Sequence, residues 1–107
     1  MMQIRFAVLL GGLLLVGASG AAMADTQVTI DNFTFSPAEV TVAPGTRVVW
    51  TNRDDIPHTV TGADDPRAMK SQPLDTGDSF SFTFAKPGAY HYFCSLHPHM
   101  QGTVVVR

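Results

Sequence analysis

The chain of 107 residues holds a single cysteine, Cys94. One thiol cannot close an intrachain disulfide, so the usual staple of small exported domains is missing. Charge is also sparse: Asp, Glu, Lys and Arg make up 15% of the residues and the formal net charge is −2. With no basic excess, nucleic acid and anionic membrane surfaces are excluded as natural partners. The longest apolar run, Phe6 to about Ala18, spans 13 residues. A bilayer-spanning helix needs about 20. No glycine-rich phosphate cradle, no paired carboxylates in a defined element and no Ser/His/Asp grouping occur, and the chain is not expected to be an enzyme. Internal repeats and a convincing amphipathic helix are lacking too.

The N-terminus, by contrast, is informative. Met1-Met2-Gln3-Ile4-Arg5 supplies a positive start, the apolar run follows, and Ala22-Met23-Ala24 matches an A-x-A cleavage site. That order is the grammar of a secretory signal peptide. Cleavage after Ala24 is expected, leaving an exported domain of residues 25–107, or 107 − 24 = 83 residues. Loss of Arg5 takes the net charge from −2 to −3. A domain of this size buries only about 60–65% of the surface its unfolded chain exposes. A bound ligand would therefore add useful stability. A lone cysteine in an exported protein is either a reactive thiol or ligated, and histidines close to Cys94 favour ligation.

Hydrophobic alternation predicts an all-β chain of six to eight short strands, a small antiparallel β-sandwich. Gln27 to Phe35 reads as one strand that buries Val28, Ile30, Phe33 and Phe35, with a slip at Asp31-Asn32 suited to a bulge. Glu39 to Val42 and Arg47 to Asn52 follow, the second rich in β-branched and aromatic residues and predicted to be central. His58 to Thr61 resumes strand character, with His58 at its first position. Gly62 to Asp78 has no period and is expected to be irregular. Phe80, Phe82 and Phe84 alternate with Ser79, Ser81 and Thr83, the clearest strand signal in the chain. Ala89 to Cys94 places Tyr90, Tyr92 and Cys94 on one face, and Gly102 to Arg107 closes the sheet.

Chemistry concentrates in Cys94-Ser95-Leu96-His97-Pro98-His99-Met100. A thiolate, two imidazoles and a thioether fall within seven residues. His97 and Met100 stand three and six positions after a cysteine that ends a strand, so a tight loop turns both toward the sulfur. His58, after the Pro57 turn, supplies a second imidazole. Soft sulfur donors suit Cu(I) while imidazole tolerates Cu(II), and two His, one Cys and a weak axial Met match the pattern of blue-copper electron-transfer sites. His99 competes with His58, but His97 and His99 reaching one ion would strain the loop across Pro98. Zinc held by His58, Cys94, His97 and His99 is the main metal alternative, and it leaves Met100 without a purpose. A dinuclear copper centre needs two cysteines. His91 falls out of phase with Cys94 and should face the far side of its sheet; Met69 reads as packing, and Trp50 as core.

On NRDDIPH (Asn52 to His58), KPGAYHYFC (Lys86 to Cys94) and CSLHPHMQGTVVV (Cys94 to Val106) the sequence resembles the cupredoxins, and within them the amicyanin group, whose ligand loop is short. The resemblance spans about Val28 to Arg107. It implies a Greek-key β-sandwich, His58, Cys94 and His97 as equatorial copper ligands and Met100 as the axial one. A monomeric periplasmic shuttle is implied as well, carrying one electron between a dehydrogenase and a c-type cytochrome. Such partners would dock on an apolar patch around His97 formed by Pro57, Leu96, Pro98 and Leu74. Two departures stand out. Thr59 occupies a place where the family commonly has Asn, and a Thr59 to Ser95 hydrogen bond would have to replace its tie; His99 stands where the docking rim usually carries a large apolar residue. The competing function is copper storage or delivery without electron shuttling.

Overall fold

The computed structural model describes residues 24–107. The expected leader therefore lies outside the described residues except for Ala24. Eight strands appear: β1 (Thr26–Asp31), β2 (Thr34–Ser36), β3 (Glu39–Val42), β4 (Thr46–Asn52), β5 (Thr61–Gly62), β6 (Ser79–Phe84), β7 (Gly88–Cys94) and β8 (His97–Val106). They form two four-stranded sheets, ordered β2-β1-β4-β6 and β3-β8-β7-β5. This is the expected Greek-key β-sandwich, with β4 interior to its sheet as anticipated. No helix among the described residues is long and apolar enough to cross a membrane.

Three expectations need correction. The sheets are mixed rather than antiparallel, because β1 runs parallel to β4 and β3 parallel to β8. Gln27 to Phe35 is not one bulged strand either; it is a hairpin in which Asp31 pairs with Thr34 across a two-residue turn, Asn32-Phe33. Both turn residues have positive φ, 50° and 57°, the conformation that matches the twist of the flanking strands. Phe33 is consequently turned out to solvent, and only Phe35 is buried. His58, finally, does not open a strand, since it makes an isolated bridge with Leu74 and β5 is confined to Thr61–Gly62. The stretch between β5 and β6 is irregular, as its lack of period implied.

The core lies between the sheets and is aromatic at its centre. Trp50 from β4 and Tyr92 from β7 are 0% and 1% exposed and meet edge to face at 5.3 Å and 80°. Phe35 also packs on Tyr92, at 4.8 Å. The Trp50 indole N–H and the Tyr92 hydroxyl are both buried without a hydrogen-bond partner. Burial pushes the Tyr92 phenol up, against a smaller opposing effect of Trp50. Tyr92 pairs across the ladder with Gly102, and its ring lies where a Cβ on Gly102 would stand. An aromatic ring laid over a cross-strand glycine in this way fixes register.

Gly102→Ala should therefore cost about 1–3 kcal/mol, the range for overpacking a filled core. Chemical denaturation measures it directly, and a change within about 0.5 kcal/mol, ordinary for a surface site, would refute the packing account.

Candidate metal centre

The loop after β4 is wound around one side chain. Asn52, fully buried, donates through Nδ2 to the carbonyls of Ile56 at 2.9 Å and Leu74 at 2.8 Å, and its Oδ1 accepts the Asp54 N–H at 2.9 Å. Every polar group of the amide is used. This fixes Asp54, whose Oδ2 lies 2.9 Å from Nε2 of His58. His58 is itself 0% exposed and is clamped at its backbone by reciprocal bonds with Leu74. With Nε2 engaged, Nδ1 is the nitrogen left to face a ligand. The Asp54 carboxyl is held below its ordinary value by His58 first and then by the Phe33 N–H, with burial working the other way.

The second half of the site is tighter than the sequence implied. Cys94 at the end of β7 pairs directly with His97 at the start of β8, so only Ser95-Leu96 forms the turn. The next pair is Phe93 with Gln101. Pro98, His99 and Met100 are thus the unpaired residues of a bulge, which bends β8 and buries Met100 to 3% exposure while His99 stays exposed.

The two halves meet at sulfur. Nδ1 of His58 and Nδ1 of His97 each lie 3.7 Å from Cys94 Sγ, and the three donor atoms fall within 4.8 Å of one another. Metal–thiolate and metal–imidazole bonds of about 2.3 and 2.0 Å, set at a trigonal angle, separate S and N by about 3.7 Å; a tetrahedral angle gives about 3.5 Å. The spacing fits one ion held by all three donors. His99 does not join this group, so the four-ligand zinc set lacks its fourth member.

Thr59 ties the halves together. Its N–H donates to Cys94 Sγ at 3.3 Å, its Oγ1 accepts the Ser95 N–H at 2.8 Å, and the two hydroxyls lie 2.9 Å apart. The anticipated Thr59 to Ser95 bond is present. Burial pushes the Cys94 thiol up, but the Thr59 N–H, the His58 and His97 rings and the Leu96 backbone outweigh it and bring the thiol down to about 6.

Residues 22–107 match the family model of copper binding proteins, plastocyanin/azurin family. The chain belongs to that family. Its cofactor is accordingly copper. Amicyanin-alpha of Methylorubrum extorquens is 35% identical over 90 residues, covering 81% of this chain and 76% of that one. The amicyanin of Paracoccus denitrificans is 33% identical over 94 residues, covering 83% and 72%. Among solved structures, a purple cupredoxin from Nitrosopumilus maritimus superposes with a TM-score of 0.72 at 35% identity, covering 78% of this chain and 100% of that one.

In this cupredoxin two residues outside the expected ligand set stand beside the centre. Asp54 sat unnoticed in a charged loop, although a carboxylate four positions before a candidate ligand was a usable signal. Phe33, taken for a buried strand residue, instead reaches the centre edge-on at 5.5 Å from the His58 ring and 5.0 Å from the His97 ring. Leu74, expected on the docking patch, is buried at 5% exposure because it clamps His58. His91 is exposed, its Nδ1 3.0 Å from Thr103 Oγ1, and Met69 is buried packing.

A thiol near 6 in the fold, against an ordinary 9.0, holds fewer protons folded than unfolded between those values. The metal-free protein should gain stability as pH rises from about 6 to 9, and Cys94→Ser should flatten that slope in denaturation curves taken across the range. Asp54→Ala removes the anchor of the His58 ring and should weaken metal binding about 10–100-fold, measured by competition with a chelator.

Proposed function

We propose that this chain is a monomeric periplasmic type 1 copper electron carrier, released from its leader after Ala24. His58, Cys94 and His97 are its equatorial ligands and Met100 its weak axial one. The observation that carries the reading is the pair of equal 3.7 Å approaches of His58 and His97 Nδ1 to the Cys94 sulfur. Copper, when bound, supplies a centre that accepts and returns one electron. The protein's part is to hold the donors still. Asp54 fixes the tautomer and tilt of His58, Thr59 directs an N–H at the sulfur, and the two-residue turn sets the distance from Cys94 to His97. Donors held by the fold rather than by the ion need little rearrangement when its charge changes.

His97 is only half-buried, so its ring edge is the route by which an electron enters or leaves. Around it stand Leu96, 50% exposed, and Phe33, 43% exposed, with Pro57 and Pro98 also exposed. An apolar rim of this kind excludes water when a partner docks. A dehydrogenase as donor and a c-type cytochrome as acceptor are the proposed partners.

The mature protein given Cu(II) should show an intense thiolate-to-copper band in the visible, lost in Cys94→Ser. It should then pass through repeated one-electron reduction and reoxidation with its metal retained. A colourless product overturns the copper ligation, and metal released at each reduction would mark a copper store or delivery protein instead.

A further inference from the structure

Phe33 occupies a position that neither its turn nor the core explains. A two-residue hairpin turn with positive φ at both positions favours Asn-Gly or Asp-Gly. Here the first residue is Asn32, but the second, at φ 57°, is an aromatic, and bulky residues rarely adopt that conformation. The side chain does not repay the fold by burial, being 43% exposed and outside the core. Its contacts lie elsewhere. The ring stands at 82° to His58 and 88° to His97, edge-to-face with both. Its backbone N–H donates at 3.0 Å to Asp54 Oδ2, the same oxygen that lies 2.9 Å from His58 Nε2.

We propose that Phe33 is a positioning residue of the metal centre, resting on the reading that His58 and His97 are ligands. The hairpin tip of β1 and β2 delivers one ring to both imidazoles, and the peptide N–H that carries it holds the Asp54 carboxylate on His58. Of the two rings His97 has more need of this support. His58 is enclosed and anchored through Asp54, whereas half-buried His97 follows a two-residue turn and has the contact with the Phe33 ring as its support. Phe33 limits the swing of the His97 ring, and so keeps Nδ1 aimed at the site.

Phe33→Asn is the discriminating variant, because Asn tolerates positive φ and keeps the N–H to Asp54 while removing the ring. Phe33→Tyr restores the ring. Two readouts apply: exchange of the His97 imidazole signals by NMR in the metal-free protein, and the rate at which Cu(I) passes to a chelator from the loaded one. The proposal expects Phe33→Asn to unfold at the same or a higher denaturant concentration, yet to show a mobile His97 ring and to lose Cu(I) faster by about tenfold or more, the scale for losing a group that orients a ligand. Phe33→Tyr should behave as wild type. A Phe33→Asn protein with an unchanged ring and unchanged release overturns the proposal. So does a loss of stability in Phe33→Asn, which would make Phe33 a packing residue, or a Tyr variant as impaired as the Asn one. If the wild type shows no thiolate-to-copper band, the electron-carrier reading fails on its own while the metal-free ring measurement still decides the role of Phe33.

Discussion

The metal centre depends on a clasp of two hydrogen bonds made by one residue. Thr59 gives its N–H to the Cys94 sulfur and takes the Ser95 N–H on its hydroxyl, joining the loop that carries His58 to the hairpin that carries Cys94 and His97. These segments belong to different parts of the chain, 36 residues apart from His58 to Cys94. The short β5–β7 ladder, Thr61 with Phe93 and Gly62 with Tyr92, joins the same segments further from the site, and the apolar packing around them is non-directional. Hydrogen bonds add the direction that a coordination geometry demands. The same N–H that locates the sulfur also favours its thiolate, so position and charge state are set together.

Behind the clasp stands a layer of fully used polar groups. Asn52 engages both ends of its amide to shape the loop, and Asp54 receives one N–H from the hairpin tip and one contact from the imidazole. A buried polar network is costly when partly satisfied and specifying when complete. This one is complete at Asn52. The aromatic core around Trp50 and Tyr92 then acts as the rigid floor: β4 ends at Asn52 and β7 ends at Cys94, so both ligand segments leave the same packed layer at the same end of the sandwich.

Much of this was legible in the sequence, for physical reasons that can be named. Cys94, His97 and Met100 stand at intervals that chemistry requires, and alternation of Phe80, Phe82 and Phe84 reports a half-buried strand whatever its neighbours. The Thr59 to Ser95 bond followed from asking what replaces a missing amide. Strand direction was not legible, because alternation records which face is buried and says nothing about which way the adjacent strand runs. The Asn32-Phe33 turn was masked by its lack of glycine and by the two-residue spacing of Phe33 and Phe35, which imitates a buried face. Leu74 was misplaced because an apolar residue in an irregular stretch gives no period to decide between core and rim.

Strand β8 has a consequence for how the molecule comes into being. It lies in the interior of its sheet, bonded to β3 on one side and β7 on the other, and its partner Glu39 precedes Thr103 by 64 positions. Synthesis proceeds from the N-terminus, so β3 must wait for a neighbour that is made last of the eight. Long-range pairings of this kind slow folding. Two of the four sulfur and imidazole donors, those of His97 and Met100, ride on that strand, so the pocket cannot be complete before β8 is in place.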